Sequence, residues 1–418
     1  MELKRVVITG LGALTPIGND AKSTWEAMVL GKSGAAEITQ FDSTLYKTHF
    51  ACEVKGFDIS TMLDRKEARK LDRYAQFSVW IAKEAVEDAQ LHLEQENTHR
   101  IGVIWGSGMG GLRSFENDCI EHGAGDGTPR FSPFYIPKAI HSMGAGHISI
   151  VLGLKGVSFA VTSACASSGH AIAQAYDSIR LGRCDVILTG GADADITYSG
   201  IGGFNSMHAL STRNDSPLTA SRPFSKSRDG FVLGEGGACL VLEEYEHAKA
   251  RGAHIYAEMV GAGMTSDAYH MTAPDPEGEG AIRVMQEALA DAHIRPEDVD
   301  YINTHGTSTL LGDIAEVKAI KAVFGAHAYD LNLDSTKSET GHLVGATGAV
   351  EALACVKALE DGIVPPTINH EEGDEDENID YQLNFTFNKA QRRDMQYAIS
   401  NNFAFGGHNV CLVFKKWK

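Results

Sequence analysis

At 418 residues, 43% hydrophobic and with a formal net charge of −18, the chain is long enough to bury two or three cores and has no Lys/Arg cluster suited to nucleic acid or an anionic membrane surface. Its seven cysteines (Cys52, Cys119, Cys165, Cys184, Cys239, Cys355 and Cys411) are odd in number, scattered and free of any C-x-x-C pair, which argues against a disulfide framework or a zinc site and for a reducing compartment. The start MELKRVVITG runs straight into a strand, with no signal-like apolar region and no uninterrupted apolar run of about twenty residues, so a cytoplasmic location is expected, with neither export nor membrane spanning.

In chain order, strand-like and helix-like segments alternate. Arg5–Thr9 reads as a strand, Asp20–Leu30 as a helix with Ser23 and Thr24 near its start, and Arg73–Leu91 as a longer helix with Phe77, Trp80, Ile81, Ala85 and Ala89 on one face. Ile101–Trp105 is a short buried strand, and Pro137–Leu152 a helix with its proline in the tolerated first turn. The apolar, β-branched run Val157–Thr162 ends in Ser163 and Ala164, where a small-residue helix opens at Cys165 and continues toward Leu181. Strands Asp185–Thr189 and Ala238–Leu242 and helix Tyr245–Arg251 close a first series. The second runs strand Ile255–Val260, helix Ala281–Ala292, strand Val299–Asn303, helix Asp313–Phe324, strand Leu331–Ser335, helix Gly345–Glu360, then strands Tyr397–Ser400 and Val410–Phe414. Such alternation means an α/β protein with covered sheets.

The two series resemble each other. Val157–Val186 and Leu333–Val364 both run strand, small-residue turn, Gly/Ala-rich helix, strand, which points to an internal duplication with its seam near Gly252. Halves 1–252 and 253–418 are expected, with their corresponding helix N-termini brought together. The acidic run Glu371–Asp380 reads as a solvated surface loop. Gly106–Gly111 satisfies G-x-G-x-x-G after a strand, but LRSFENDCIEHG reads as polar rather than as a helix packed on a sheet, and no acidic residue ends a second strand at the expected distance, so dinucleotide binding is not expected.

The chemistry centres on Cys165. A thiol at the N-terminus of a buried helix meets aligned peptide dipoles and unpaired N–H groups, so its thiolate is expected to be stabilised and nucleophilic near neutral pH. A lone buried cysteine is more often structural, and the reading depends on partners. His305 in NTHGTSTLLGD and His342 in STKSETGHLVGATGAVE each follow a strand and stand among Gly, Ser and Thr, where α/β folds place their sites. Lys337 and Glu351 flank His342, and Asn401–Asn409 supplies a glycine-rich turn able to bring backbone N–H groups close to a ligand.

These motifs, with RVVITGLGALTPIGN, TSAC, GGFNSMHALSTRND, SRPFSKSRDGFVLGEG, SDAYHMTAP and AFGGHN, resemble from end to end the β-ketoacyl-acyl carrier protein synthases, condensing enzymes of the thiolase superfamily, and in particular their type II. The resemblance implies a five-layer αβαβα fold of two duplicated halves, a homodimer, a Cys-His-His site, and acyl carrier protein in acyl and malonyl forms as partner. No cofactor is implied beyond the phosphopantetheine that the carrier brings. On this reading Cys165 is acylated, and His305 and His342 donate N–H to the enolate oxygen as malonyl-thioester loses CO2. Lys337 stays charged beside His342 with Glu351 as counter-ion, and the backbone N–H groups of Cys165 and Phe405 form an oxyanion hole.

The resemblance also assigns Thr272, Thr307 and Thr309 to the phosphopantetheine, Phe204 and Phe405 to gating, and Met109 to the acyl pocket. Lys66, Arg69 and Lys70 at helical spacing, with Arg130, would make a basic docking patch for an acidic carrier. Asn303, Glu351, Ser400 and Asn401 match a monovalent-cation (Na+ or K+) site, although buried hydrogen bonding accounts for them equally well. Ala404 and His408 depart from the family's Gly and Thr in the gating turn, and His208 stands where an Arg often assists docking. A ketosynthase of a secondary, polyketide or polyene type pathway is the alternative function. A non-catalytic chain-length-factor subunit would lack Cys165, and a thioester hydrolase of the G-x-S-x-G type lacks its motif here.

Overall fold

The computed structural model of the protein describes residues 3–418. Strands β1 (Val6–Leu14), β2 (Ile101–Gly106), β3 (Ser158–Val161), β4 (Val186–Asp193), β5 (Gly236–Glu244), β6 (Ala257–Ser266), β7 (Tyr301–Asn303), β8 (Asn332–Asp334), β9 (Tyr397–Ala404) and β10 (His408–Lys416) are joined in the order 8-7-9-10-6-1-5-4-2-3. The first five strands are arranged 3-2-4-5-1, and the second five repeat that arrangement. Directions repeat too: β2 is parallel to β3 and β4, as β7 is to β8 and β9, and the remaining pairs are antiparallel. The two sets meet at a short antiparallel pair, Val6 opposite Met259 and Ile8 opposite Ala257.

The main helices are α1 (Ala21–Val29), α2 (Arg73–Asp88), α3 (Leu112–Ala124), α4 (Met143–Leu152), α5 (Ser167–Arg180), α6 (Glu279–Asp291), α7 (Leu310–Phe324) and α8 (Thr347–Asp361). Side-chain alternation along the strands sorts them into layers. On β5, Ala238, Leu240 and Leu242 face a central core shared with α5 and α8, while Cys239 and Val241 face a second core under α2 and α4. On β10, Val410, Leu412 and Phe414 face the same central core, while Cys411 and Val413 face a third, under α6 and α7. The result is the thiolase-like five-layer αβαβα arrangement, with every buried aliphatic side chain contributing about 1.5–3 kcal/mol.

Of the central pair, α8 is buried on nearly every side, whereas α5 buries Ala171, Ile172, Ala175 and Ile179 and keeps His170, Gln174, Asp177 and Arg180 along a less buried polar face. Their first turns meet at two glycines: a Cβ on Gly348 would lie 2.9 Å from the backbone nitrogen of Gly169 and 2.4 Å from Oδ1 of Asn402. Only the bare backbone allows this approach, and it brings the segments before both helices, which carry Cys165 and His342, to one place.

Several expectations change. The cap of α1 is Asp20, whose carboxylate accepts the Ser23 N–H at 2.6 Å. The segment Pro137–Leu152 is not one helix: Ile140 is extended (ψ 139°), separating Tyr135–Ala139 from α4. The segment LRSFENDCIEHG does form a helix, α3, which packs on Tyr135–Ala139 and Tyr198–Ser206 rather than on the sheet; its polar character reflects that placement. The acidic run is not simply solvated, because Asp374 takes the Ser227 N–H at 2.8 Å, Asp376 pairs with Arg228 and Asp380 with Lys321. No helix among the described residues is long and apolar enough to cross a membrane.

Candidate active site

Cys165 does not lie within α5. The helix begins at Ser167, and Cys165 sits in the tight turn that precedes it. Ala164 takes φ +49°, a left-handed conformation that costs a residue with a side chain about 1–2 kcal/mol. Ser167 offsets this by accepting the Ser163 N–H at 2.9 Å while its hydroxyl donates to the Ala164 carbonyl at 2.6 Å. The turn places Cys165 in the lining of a cavity of about 820 Å3.

His305 and His342 line the same cavity, arriving from the loops after β7 and β8. Their rings stand edge to face, centroids 5.5 Å apart. Nδ1 of His342 is 2.9 Å from the Thr347 hydroxyl at the start of α8, whereas Nδ1 of His305 is buried without a partner. Glu316 on α7 fixes the His305 loop by accepting the N–H groups of His305 and Gly306, both at 2.8 Å. Lys337 is buried beside the histidines and ion-pairs with Glu351, whose other oxygen accepts from Asn402 at 2.6 Å.

Burial decides the protonation of this site. Both imidazoles are driven well below the ordinary histidine range by burial and the nearby Lys337 charge, so both are neutral at pH 7. Burial pushes the Cys165 thiol up to about 12, although Lys337 and the N–H groups of Phe405 and Cys165 itself pull the other way. Burial thus works against the thiolate expected at a helix terminus, and Cys165 stands just before the residue that caps α5 rather than within the helix. Burial also raises Glu316 to about 7 against the N–H groups of Gly306 and His305, and Glu351 to about 7 against Lys337 and Asn402.

Of the other sequence-predicted residues, Phe204, Thr272, Thr307, Thr309, Phe405 and His208 line the cavity, with the Thr307 and Thr309 hydroxyls 2.8 Å apart. Met109 does not: its loop is wrapped around Asp193, which accepts from Ser107 Oγ at 2.7 Å and Gly108 N–H at 2.9 Å, so these groups are unavailable to a phosphate. The Phe405 turn has Gly406 at φ +83°, and its backbone is tied to Met271 and Asp267. The His408 ring lies against Gly406, whose added Cβ would meet Nε2 at 2.9 Å, and Ala404 opens the turn in extended conformation.

Lys66 lies within a four-residue helix, Arg65–Ala68, which Arg69 caps and Lys70 follows, and none of the three lines the cavity; Lys70 is paired with Glu67, and the exposed Arg130 with Asp126. The four residues matched to a cation do not converge as side chains. Asn303 Oδ1 and Ser400 Oγ, on adjacent strands, are buried without partners, but Asn401 lies on the opposite face and its amide nitrogen reaches toward Met285 and Glu316. Glu351 is already engaged on both oxygens. Any cation would thus draw on Asn303 and Ser400, with Asn401 able to offer only its backbone.

Three residues escaped the sequence reading. Thr347 stands in GATGAVE at a helix start, Glu316 lies one turn after Asp313 on α7, and Phe231 packs edge-on against both His342 and Phe204 at 5.1 and 5.2 Å. The first two had a signal, a polar residue at the first turns of an otherwise apolar helix beside a candidate histidine.

Residues 3–248 match the model of the β-ketoacyl synthase N-terminal domain and residues 256–371 that of the C-terminal domain. The chain belongs to the β-ketoacyl synthase family. Within it, the chain is 50% identical over 417 residues to a 3-oxoacyl-[acyl-carrier-protein] synthase 2 of Staphylococcus aureus (strain COL), with 99% of each chain covered. Among solved structures it is similar to a β-ketoacyl synthase from Burkholderia phymatum STM815 (36% identity, TM-score 0.90, covering 99% of this chain and all of that one). It is also similar to a chain of a complex described as a type II PKS acyl-carrier protein with its ketosynthase (32% identity, TM-score 0.90, both chains covered fully).

Proposed function

We propose that the protein is a condensing acyltransferase of the synthase 2 type, which elongates fatty acids by joining a Cys165-bound acyl group to malonyl-acyl carrier protein with loss of CO2. The observation that carries the reading is the presence of one thiol and two neutral imidazoles around the same cavity. In the first half-reaction the Cys165 sulfur attacks the acyl thioester. Its proton passes to the departing pantetheine sulfur, and the tetrahedral oxygen is held by the N–H groups of Cys165 and Phe405. In the second, the bond between the malonyl α-carbon and its carboxylate breaks and the electron pair moves onto the thioester oxygen. Imidazole N–H groups of His305 and His342 stabilise that oxygen, each such donor being worth about 2.7–4 kcal/mol. The enolate carbon then attacks the acyl carbonyl, and the released Cys165 thiolate takes a proton from solvent.

Lys337 and Glu351 hold the charge balance behind His342, and Thr272, Thr307 and Thr309 receive the phosphopantetheine arm. Lys66, Arg69, Lys70 and Arg130 form the carrier-docking patch. The nucleophile belongs to the half 1–252 and the histidines to the half 253–418. Two copies associate through the free edge of β3, where Phe159 is 40% exposed and Ile150, on the helix α4 that packs against this strand, is exposed as well. The seven unpaired cysteines fit a cytoplasmic enzyme. Identity of 50% to the synthase 2 relative against 32% to the PKS complex favours fatty-acid elongation over a secondary pathway. The test is Cys165→Ala assayed with acyl- and malonyl-carrier substrates: condensation is lost while malonyl decarboxylation persists, and a variant that still condenses at the full rate removes the reading.

A further inference from the structure

Arg228 lies outside the cavity, fully buried behind the loop that carries His305, Thr307 and Thr309. Its guanidinium donates from Nε to the Thr309 carbonyl at 3.1 Å, from Nη2 to the Leu310 carbonyl at 2.8 Å, and from Nη1 to the Ser225 carbonyl and to Asp376 Oδ2, both at 2.8 Å. Asp313 Oδ2 stands 3.3 Å from Nε, and Asp313 itself accepts the N–H groups of Phe224 at 2.8 Å and Ser308 at 3.2 Å. The loop between them is strained: Ser308 is fully buried at φ +67°. One charged fork thus holds two consecutive carbonyls from behind, and the acidic run supplies, through Asp376, the carboxylate that fixes the fork.

We infer that Arg228, clasped by Asp376, is a positioning residue that sets the Thr307 and Thr309 hydroxyls for the carrier's phosphopantetheine arm without touching it. The inference rests on the carrier-bound substrate of the function proposed above. Its chemistry requires arginine: a planar guanidinium reaches three carbonyls and a carboxylate at once, which an ammonium on a flexible stem does not. It also gives the acidic run a use in substrate binding that its charge alone does not suggest.

Arg228→Lys and Asp376→Ala, made in the full chain, are compared with the unaltered protein in steady-state kinetics, thermal melting and the alkylation rate of Cys165. Arg228→Lys is expected to raise KM for malonyl-carrier substrate about ten-fold, with kcat and the alkylation rate within about three-fold, and Asp376→Ala to shift KM the same way by about three-fold. A lower melting temperature with unchanged KM in either variant, or equal losses of kcat and alkylation rate, would show that the cluster only supports the fold and overturns the inference. Should Arg228→Lys fail to fold, Asp376→Ala decides alone by its KM. Failure of the unaltered protein to condense carrier substrates would instead sink the functional reading beneath it.

Discussion

The Thr347 hydroxyl lies 2.9 Å from Nδ1 of His342, and with that hydroxyl donating, the imidazole proton is placed on Nε2. A neutral ring so arranged can donate to a developing enolate oxygen. Thr347→Val removes the hydroxyl at nearly constant volume and is expected to slow condensation by about 10–100-fold, with Thr347→Ser restoring most of the rate. A Val variant with unchanged turnover would show that the ring needs no such partner.

The raised thiol of Cys165 makes its own prediction. In a Cys119→Ser background, which removes the exposed thiol, iodoacetamide alkylation of Cys165 is expected to accelerate continuously through pH 9 without levelling. A plateau reached below pH 8 would mean that the sulfur is ionised at rest after all.

Glu316 links pH to stability. Its carboxyl is raised from 4.5 to about 7 by burial, so the folded state binds the proton more tightly than the unfolded one. The stabilisation is complete below the unfolded value and is lost as pH rises through about 7, an effect of about 3 kcal/mol. The stability advantage of the unaltered protein over Glu316→Gln, measured by denaturant titration, should therefore shrink between pH 4.5 and 7. A difference that stays flat over that range would rule the assignment out.

The edge of β3 predicts assembly. Phe159→Asp places a charge on the free strand and is expected to shift the protein from dimer to monomer in sedimentation experiments at micromolar concentration. An unchanged sedimentation coefficient would place the interface elsewhere.

Charge reversal of Lys66, Arg69 and Lys70 to Glu should raise KM for carrier substrates several-fold at low salt and much less at high salt, because exposed charges are screened. A salt-independent effect, or none, would remove these residues from carrier docking.

Most elements were legible because strand alternation and helix periodicity survive in the sequence: Ala238–Leu242 and Val410–Phe414 fell inside their observed strands. What periodicity could not show was placement relative to a third element. Polar α3 is a helix whose partners are other helices, and the acids Asp374 and Asp376 are structured by arginines about 150 residues away. Likewise Cys165 stands in the turn before the helix that was expected to open at it, and the dipole argument ignored the depth of burial that the surrounding layers impose. The alternation of Ser400 and Asn401 along β9 could have warned that four polar residues in three segments need not face one point.

The bare contact of Gly169 with Gly348 has a further consequence. Because sulfur and imidazole come from separate repeats of the same architecture, their spacing is a property of how closely two chain segments pack, and a single methyl group at Gly348 would act as a spacer between them. Neither repeat alone holds the full reacting set, so this narrow seam, more than either repeat's own interior, is where a small change in sequence would separate an intact fold from a working one.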